Sequence, residues 1–333
     1  MERLGVKIVV IGGGTGSFTL LSGLKHYTNR LTALVNMVDD GGSTGQLRDE
    51  LGVLPPGDVR QCLVALSESP KVRELFNYRF EEGSLAGHAF GNLFITALEK
   101  LTGNFAEAVD TAAEVLRVQG QVVPATLDNV RLTMTWPDQR VVLSGERVID
   151  VDHFVHDPRK ATLSLTPMPQ ANPAAIAAIR EADLVVIAPG DLYTSIGPIL
   201  VADGFGEALK TTAAKVVYVC NLVTKQGQTE GFTVVDHAQE IERFVGAPVL
   251  DVVLFSGHRP QATLLEKYAK KGEFWVEKGQ RPSWRPQYNM LAGQFLADEM
   301  AKKRAGDPLA AHRSFIRHDA DKVARALMKV YFS

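Results

Sequence analysis

KIVVIGGGTGS, from Lys7 to Ser17, decides the fold class of this 333-residue chain. Residues 7–11 form a short apolar run with the β-branched composition of a buried strand. Gly12, Gly13, Gly14, Thr15, Gly16 and Ser17 follow at once, and residues 18–27 carry a helix-like pattern. Residues 31–38 read as a second strand, ending in Asp39, Asp40, Gly41, Gly42, Ser43, Thr44 and Gly45. Strand, glycine turn, helix and strand predict a Rossmann-like, doubly wound, mainly parallel α/β sheet.

Further along, the Pro55-Pro56-Gly57-Asp58 stretch reads as a loop ending in an N-cap that opens a helix over 59–67. Helical patterns continue through 71–80, 88–101 and 105–117. Between about 121 and 166 the character changes to short β-rich runs (121–125, 130–136, 139–143 and 161–166), with Pro137-Asp138 as a hairpin turn. This predicts a short antiparallel insertion or a sheet edge, not a separate domain. Parallel α/β then resumes with a helix over 173–181, strands over 184–188, 215–220 and 249–255, and a helix over 233–244. The buried strands are each followed by a polar, Gly- or Asn-bearing loop, and such loops meet at the carboxyl ends of a parallel sheet. They come from both halves of the chain, so one domain over 1–333 is expected.

Composition narrows the function. With 45% hydrophobic and 22% charged residues the chain can bury a large core. A net charge of −2 gives no support for a nucleic-acid binder. Two cysteines exclude a disulfide framework and fit a reducing compartment. No apolar run is long enough for a membrane span, and no signal peptide opens the chain, so a cytoplasmic protein is expected. The charge is unevenly spread: residues 257–333 carry +7 and residues 1–256 carry −9. Either the final third is an ordinary basic surface, or it lends cations such as Arg317 to an anion site.

The first glycine loop falls short of the dinucleotide fingerprint, because Ser17 stands where the third glycine belongs. Its physical logic remains: glycines let a backbone approach a phosphate, and a helix start presents free N–H groups. No lysine of the P-loop type follows. Asp39 and Asp40, beside a second glycine-rich stretch, suggest a divalent ion bridging to a diphosphate, or else the cap of a turn. Asp58 is open to the same two readings, metal ligand or N-cap. Gly190, Asp191, Leu192, Tyr193, Thr194 and Ser195 form a further anion-type loop before a helix-like stretch over 196–202. Ser195 lacks the G-x-S-x-G setting of a nucleophile, so no catalytic residue is assigned. His88 stands next to Gly87, just before Asn92 on a predicted helix. His153 and His156 read as surface or packing residues, and Cys62 and Cys220 as core.

Seven stretches together resemble the YvcK/CofD-like family, most closely its YvcK, or gluconeogenesis factor, branch. They are VVIGGGTGSF (9–18), VDDGGSTGQLR (38–48), LPPGDVRQCLVAL (54–66), LAGHAFGNL (85–93), IAPGDLYTSIGPIL (187–200), NLVTKQGQTEG (221–231) and FIRHD (315–319). The resemblance implies a three-layer α/β/α fold around one nucleotide cleft. One branch of the family is a Mg²⁺-dependent 2-phospho-L-lactate transferase. An aspartate pair after its second strand and a later aspartate serve metal and acceptor, and Asp39, Asp40 and Asp58 match these approximately; the metal is placed on Asp40 and Asp58. The stretch 195–200 is similar to that enzyme's phosphate-contacting loop. Where the transferase carries its acceptor-binding pattern, this chain has Gly-Gly-Ser-Thr-Gly-Gln-Leu-Arg and Pro-Pro-Gly-Asp.

The YvcK branch implies a cytoplasmic regulator that binds a UDP-sugar such as UDP-N-acetylglucosamine. It is tied to cell shape, cell-wall metabolism and gluconeogenic growth, and the resemblance alone points to a homodimer. The glycines and neighbours at 12–17 would hold the diphosphate. Ser43, Arg60 and Asn221 would orient base or sugar, and the 190–195 loop would close the site. The alternative expectation is a transferase of phosphoryl or phosphodiester groups, with Asp40 and Asp58 on Mg²⁺ and Arg60 stabilising developing charge.

Overall fold

The computed structural model describes residues 4–280, 288–297 and 316–333. Seven parallel strands form the main sheet: β1 (Ile8–Ile11), β2 (Leu31–Val35), β3 (Gln121–Pro124), and, after a break in the numbering, β7 (Leu184–Ile187), β8 (Lys215–Val219), β9 (Val252–Ser256) and β10 (Asn289–Gly293). Their order is β10-β9-β8-β7-β1-β2-β3. The intervening β4 (Arg131–Trp136), β5 (Val141–Ser144) and β6 (Thr162–Thr166) make a separate antiparallel sheet of order β5-β4-β6.

Alternation along the central strands divides the core. Ile8 and Val10 of β1 and Leu184 and Val186 of β7 face one hydrophobic layer, while Val9, Ile11, Val185 and Ile187 face the other. Central strands buried on both faces read as continuous apolar runs, which is why β1 and β7 are legible in the sequence. The first layer is closed by α1 (Gly14–Leu24), α3 (Gly57–Leu66), α6 (Phe105–Leu116) and the final helix Ala320–Phe332. The second is closed by the helices Pro173–Glu181, Phe205–Thr211 and Val234–Val245 and by the inner face of the small sheet. On β4, Leu132, Met134 and Trp136 turn inward at period two.

Four expectations change. Residues 121–124 form β3, the edge strand of the main sheet and parallel to β2, so the antiparallel part begins only at β4. The second glycine stretch is the start of a helix, α2 (Gly42–Leu51), because Gly41 is extended and the chain turns helical at once. Asp58 lies inside α3, whose N-cap is Pro56. The stretch read as helix-like over 196–202 begins earlier, as one π-turn over Leu192–Ile196, and runs into a short helix, Gly197–Leu200. The chain also forms α4 (Pro70–Asn77), α5 (Phe90–Thr102) and α7 (Glu146–Val151), the last an addition from the excursion.

Candidate functional site

β1 pairs with β2 on one side and β7 on the other, so successive crossovers leave it in opposite directions. This opens a crevice beyond Ile11 and Ile187, the place where parallel sheets bind ligands. The 12–17 loop spans it. Two of its glycines are required by close approach: a Cβ on Gly13 would sit 2.1 Å from Asp58 Oδ2, and one on Gly16 would sit 1.7 Å from the Pro189 carbonyl oxygen. Gly16 therefore supplies the tight helix–loop packing that the missing glycine at 17 would have supplied. Helix α1 begins at Gly14 with no side-chain cap, leaving N–H groups of its first turn for a ligand. Thr15 is exposed there, whereas Ser17 is buried, with its Oγ tucked against Gly12 and lacking a protein partner.

The 189–195 loop leans on this turn. Asn221 holds it with both amide atoms: Gly190 N–H donates to Asn221 Oδ1 (3.0 Å) and Asn221 Nδ2 donates to the Gly190 carbonyl (2.8 Å). Asn221, expected to orient base or sugar, lines the cleft, and both amide atoms hold the loop in place. Leu192, Tyr193 and Thr194 are buried, and Tyr193 donates to Glu240 (3.0 Å) between Phe154 and Phe244, so its side chain belongs to the core. Asp191 pairs with Lys225 (2.8 Å), which also binds Asp150 of α7. Burial raises the Asp191 carboxyl above its ordinary range, and Lys225 opposes the rise.

A cleft of about 430 Å³ lies over these groups, lined among others by Thr15, Gly16, Asp191, Lys225, Arg317 and His318. That size suits a small-molecule ligand. Arg317 has no ion-pair partner among the described residues, so the basic final third does send a cation to the crevice. His318 is buried, with Nε2 unpartnered, and burial pushes its imidazole down to about 4, so it is neutral. Much of the basic segment, including 298–315, lies outside the described residues.

The carboxylates gather on the other side of the 12–17 loop. Asp39 accepts from Gly41 N–H (3.0 Å). Asp40, expected as a metal ligand, has both oxygens engaged by the first turn of α7, from Glu146 N–H (3.1 Å) and Arg147 N–H (2.7 Å). Asp39 is the one that stands beside Asp58: its Oδ2 lies 2.7 Å from where a Cβ on the neighbouring Gly57 would sit, and its charge acts on Asp58. Burial and then the Asp39 charge push Asp58 up to about 7, against the opposing Gly14 N–H and Arg60. Burial and the same carboxylates push Glu146 up to about 8. Among the described residues no three His, Cys, Asp or Glu side chains group as a metal cage. Asp39 and Asp58 are the two carboxylates that could hold Mg²⁺, with ligand oxygens and water completing its shell.

A polar chain continues from there. Arg60 is buried, and Nε donates to Asn92 Oδ1 (2.9 Å) and Nη1 to Asn77 Oδ1 (2.6 Å). Asn92 Nδ2 donates to Ser43 Oγ (3.2 Å), which shares a hydrogen bond with His88 Nδ1 (3.0 Å). Ser43, Arg60, His88 and Asn92, far apart in sequence, thus meet as one group. Sequence reasoning missed Lys225, Glu146 and Asn36. Asn36 donates to the Thr194 carbonyl (3.0 Å) while its buried Oδ1 lacks a partner. Lys225 sits in a loop already marked as polar; Glu146 had no signal, because nothing in the local pattern announces α7.

Comparison with known proteins places the chain. Residues 8–296 match the family model described as 2-phospho-L-lactate transferase CofD. The gluconeogenesis factor of Bacillus subtilis is 38% identical over 329 residues, covering 97% of each chain. That of Listeria innocua is 37% identical, covering 97% of this chain and 94% of the relative. A crystal structure of a UPF0052-family protein from Bacillus halodurans superposes with a TM-score of 0.85 at 36% identity, covering 98% of this chain and 99% of that one. The chain belongs to the CofD family, on the branch of the gluconeogenesis factors.

Proposed function

We propose that the chain is a cytoplasmic regulatory protein that binds a nucleotide sugar, a UDP-sugar such as UDP-N-acetylglucosamine, and acts on cell shape and cell-wall metabolism. One observation carries the binding: the uncapped start of α1 and Arg317, whose guanidinium has no ion-pair partner among the described residues, line the same cleft at the sheet's switch point. Backbone N–H groups and an arginine facing one space are the chemistry of a diphosphate site. Thr15, Gly16 and Gly190 offer backbone there; Asn221, and Lys225 through Asp191, keep the loop in place. The test is a thermal-shift panel of nucleotides and nucleotide sugars. UDP-N-acetylglucosamine is expected to raise the midpoint by mass action. A flat response across the panel rejects the reading.

A second reading, a Mg²⁺-dependent transferase of the 2-phospho-L-lactate type, is favoured by the Asp39–Asp58 pair. Burial and the Asp39 charge push the Asp58 carboxyl up, and a dication between the two would relieve that repulsion. Asp39 and Asp58 would hold the ion, and bound Mg²⁺ would supply charge neutralisation at phosphate oxygens. Arg60 lies close enough to feel both carboxylates. Turnover of a nucleotide-diphosphate donor, lost in Asp58→Asn, supports this reading; absence of turnover with intact nucleotide binding leaves regulation as the function.

A further inference from the structure

We infer that the protein holds a second oxyanion, of phosphate type, on Arg60, at a site apart from the cleft that Arg317 lines. Arg60 is only 6% exposed, yet its guanidinium donates, among the described residues, to the neutral amides of Asn92 and Asn77. No carboxylate lies within ion-pair distance of it among the described residues; Asp58 and Asp39 act at longer range. A buried cation without a counter-ion is costly. A second cation, Arg79, stands near enough to weigh against the charge of Arg60, with its own Nη1 on the Gly87 carbonyl. Two arginines brought together around neutral amides make a place for an anion.

The surroundings match that chemistry. Ser43 Oγ is tied to Asn92 and His88, and so is aligned with the arginine through one shared amide. Ser43 is also in the first turn of the ten-residue helix α2, which has no side-chain cap. The facing start of α5, which carries Gly91 against the Arg60 stem, has none either. Nη2 of Arg60 has no hydrogen-bond partner among the described residues, which leaves its N–H groups for an anion. His88 and Arg79 are partly exposed, so an anion has a way in. None of Ser43, Arg60, His88 and Asn92 lines the cleft beside Arg317. Asp58, whose carboxylate lies against Gly13, is in the same α3 turn as Arg60. The anion is either a second charged group of the ligand in the cleft or the phosphate of a separate small molecule.

The test titrates inorganic phosphate, with sodium chloride matching ionic strength, and follows the melting midpoint of the full chain. Wild type and Arg317→Ala are expected to show a saturable rise. Arg60→Gln, which keeps a polar side chain among the asparagines, is expected to weaken the apparent phosphate affinity about tenfold or more. Should R60Q fail to fold, Ser43→Ala and Arg79→Gln take its place, and each is expected to weaken the response while leaving Arg60 intact. No rise in wild type, or an equal rise in R60Q (or in both S43A and R79Q), overturns the inference. Repeating the titration in saturating UDP-N-acetylglucosamine separates the two sources. An additive rise supports a separate molecule, and a suppressed rise supports a second group of the same ligand. If phosphate binding follows Arg60 while no nucleotide sugar binds, the proposed function fails and this site stands.

Discussion

Gly16→Ala probes the junction on which the cleft is built. A methyl at this position would lie 1.7 Å from the Pro189 carbonyl oxygen, and a normal contact needs about 3.2 Å, so α1 and the 189–191 loop must part by about 1.5 Å. The obstacle is backbone, so no rotamer change relieves it. Overpacking of this kind costs about 1–3 kcal/mol. Alanine recovers up to about 1 kcal/mol of helix propensity over glycine, less near a helix start. The expected net loss is therefore about 1–2 kcal/mol in urea unfolding. The loop cannot move alone, because Asn221 grips Gly190 and Lys225 grips Asp191, so nucleotide-sugar affinity is expected to fall as well. Gly5→Ala is the control: nothing lies within 4 Å of its added methyl, and its stability should stay within about 0.5 kcal/mol of wild type. A G16A protein as stable as G5A, with unchanged ligand affinity, would refute the claim that close packing at Gly16 shapes the site.

Other outcomes follow from the same contacts. Asp58 and Glu146 have folded values of about 7 and about 8, above their ordinary range, so their contribution to stability is complete below pH 4 and is lost as pH rises through 7–8. His237 and His318, pushed down to about 4, lose theirs below pH 6.5, so the scan runs upward from 6.5: the metal-free midpoint should fall by a few degrees by pH 8.5, and Asp58→Asn should flatten the slope. Asp40→Ala should cost about 0.5–2 kcal/mol through the lost cap on α7, whereas Asp40→Asn should leave any Mg²⁺ response unchanged and Asp39→Asn should abolish it. A Mg²⁺ response lost in D40N and kept in D39N contradicts the assignment to Asp39. Asn221→Ala, which removes two hydrogen bonds to Gly190, should destabilise by about 1–3 kcal/mol in urea unfolding.

What the sequence discloses depends on where each residue's information lies. β1 and β7 are buried on both faces, so four apolar residues in a row mark them unaided. The helix Pro173–Glu181 is bounded by a proline at its start, with Asn172 accepting from Ala174 N–H as its cap, and its ends are read correctly. By contrast β10 runs Asn289–Gly293 with a largely exposed edge pattern, and α2 starts inside a glycine-rich stretch, so neither announces itself. The convergence of the loops follows from parallel topology, and the chain places them as that rule requires. Which of Asp39 and Asp40 turns towards Asp58 does not follow, because α7, a partner 106 residues away, captures Asp40. Tyr193 looks like a ligand-loop residue in sequence, yet its ring completes an aromatic cluster with Phe154 and Phe244. Tertiary partners, absent from local pattern, decide both.

The most direct measurement is calorimetric titration of UDP-N-acetylglucosamine into the wild-type chain and into Arg317→Ala. Among the described residues Arg317 makes no side-chain hydrogen bond or ion pair, so the variant should melt like wild type. Saturable binding near one ligand per chain is expected, weakened about tenfold or more in R317A through loss of a charge-assisted contact. Saturable binding that is indifferent to Arg317, or no binding heat at any concentration with or without Mg²⁺, would contradict it.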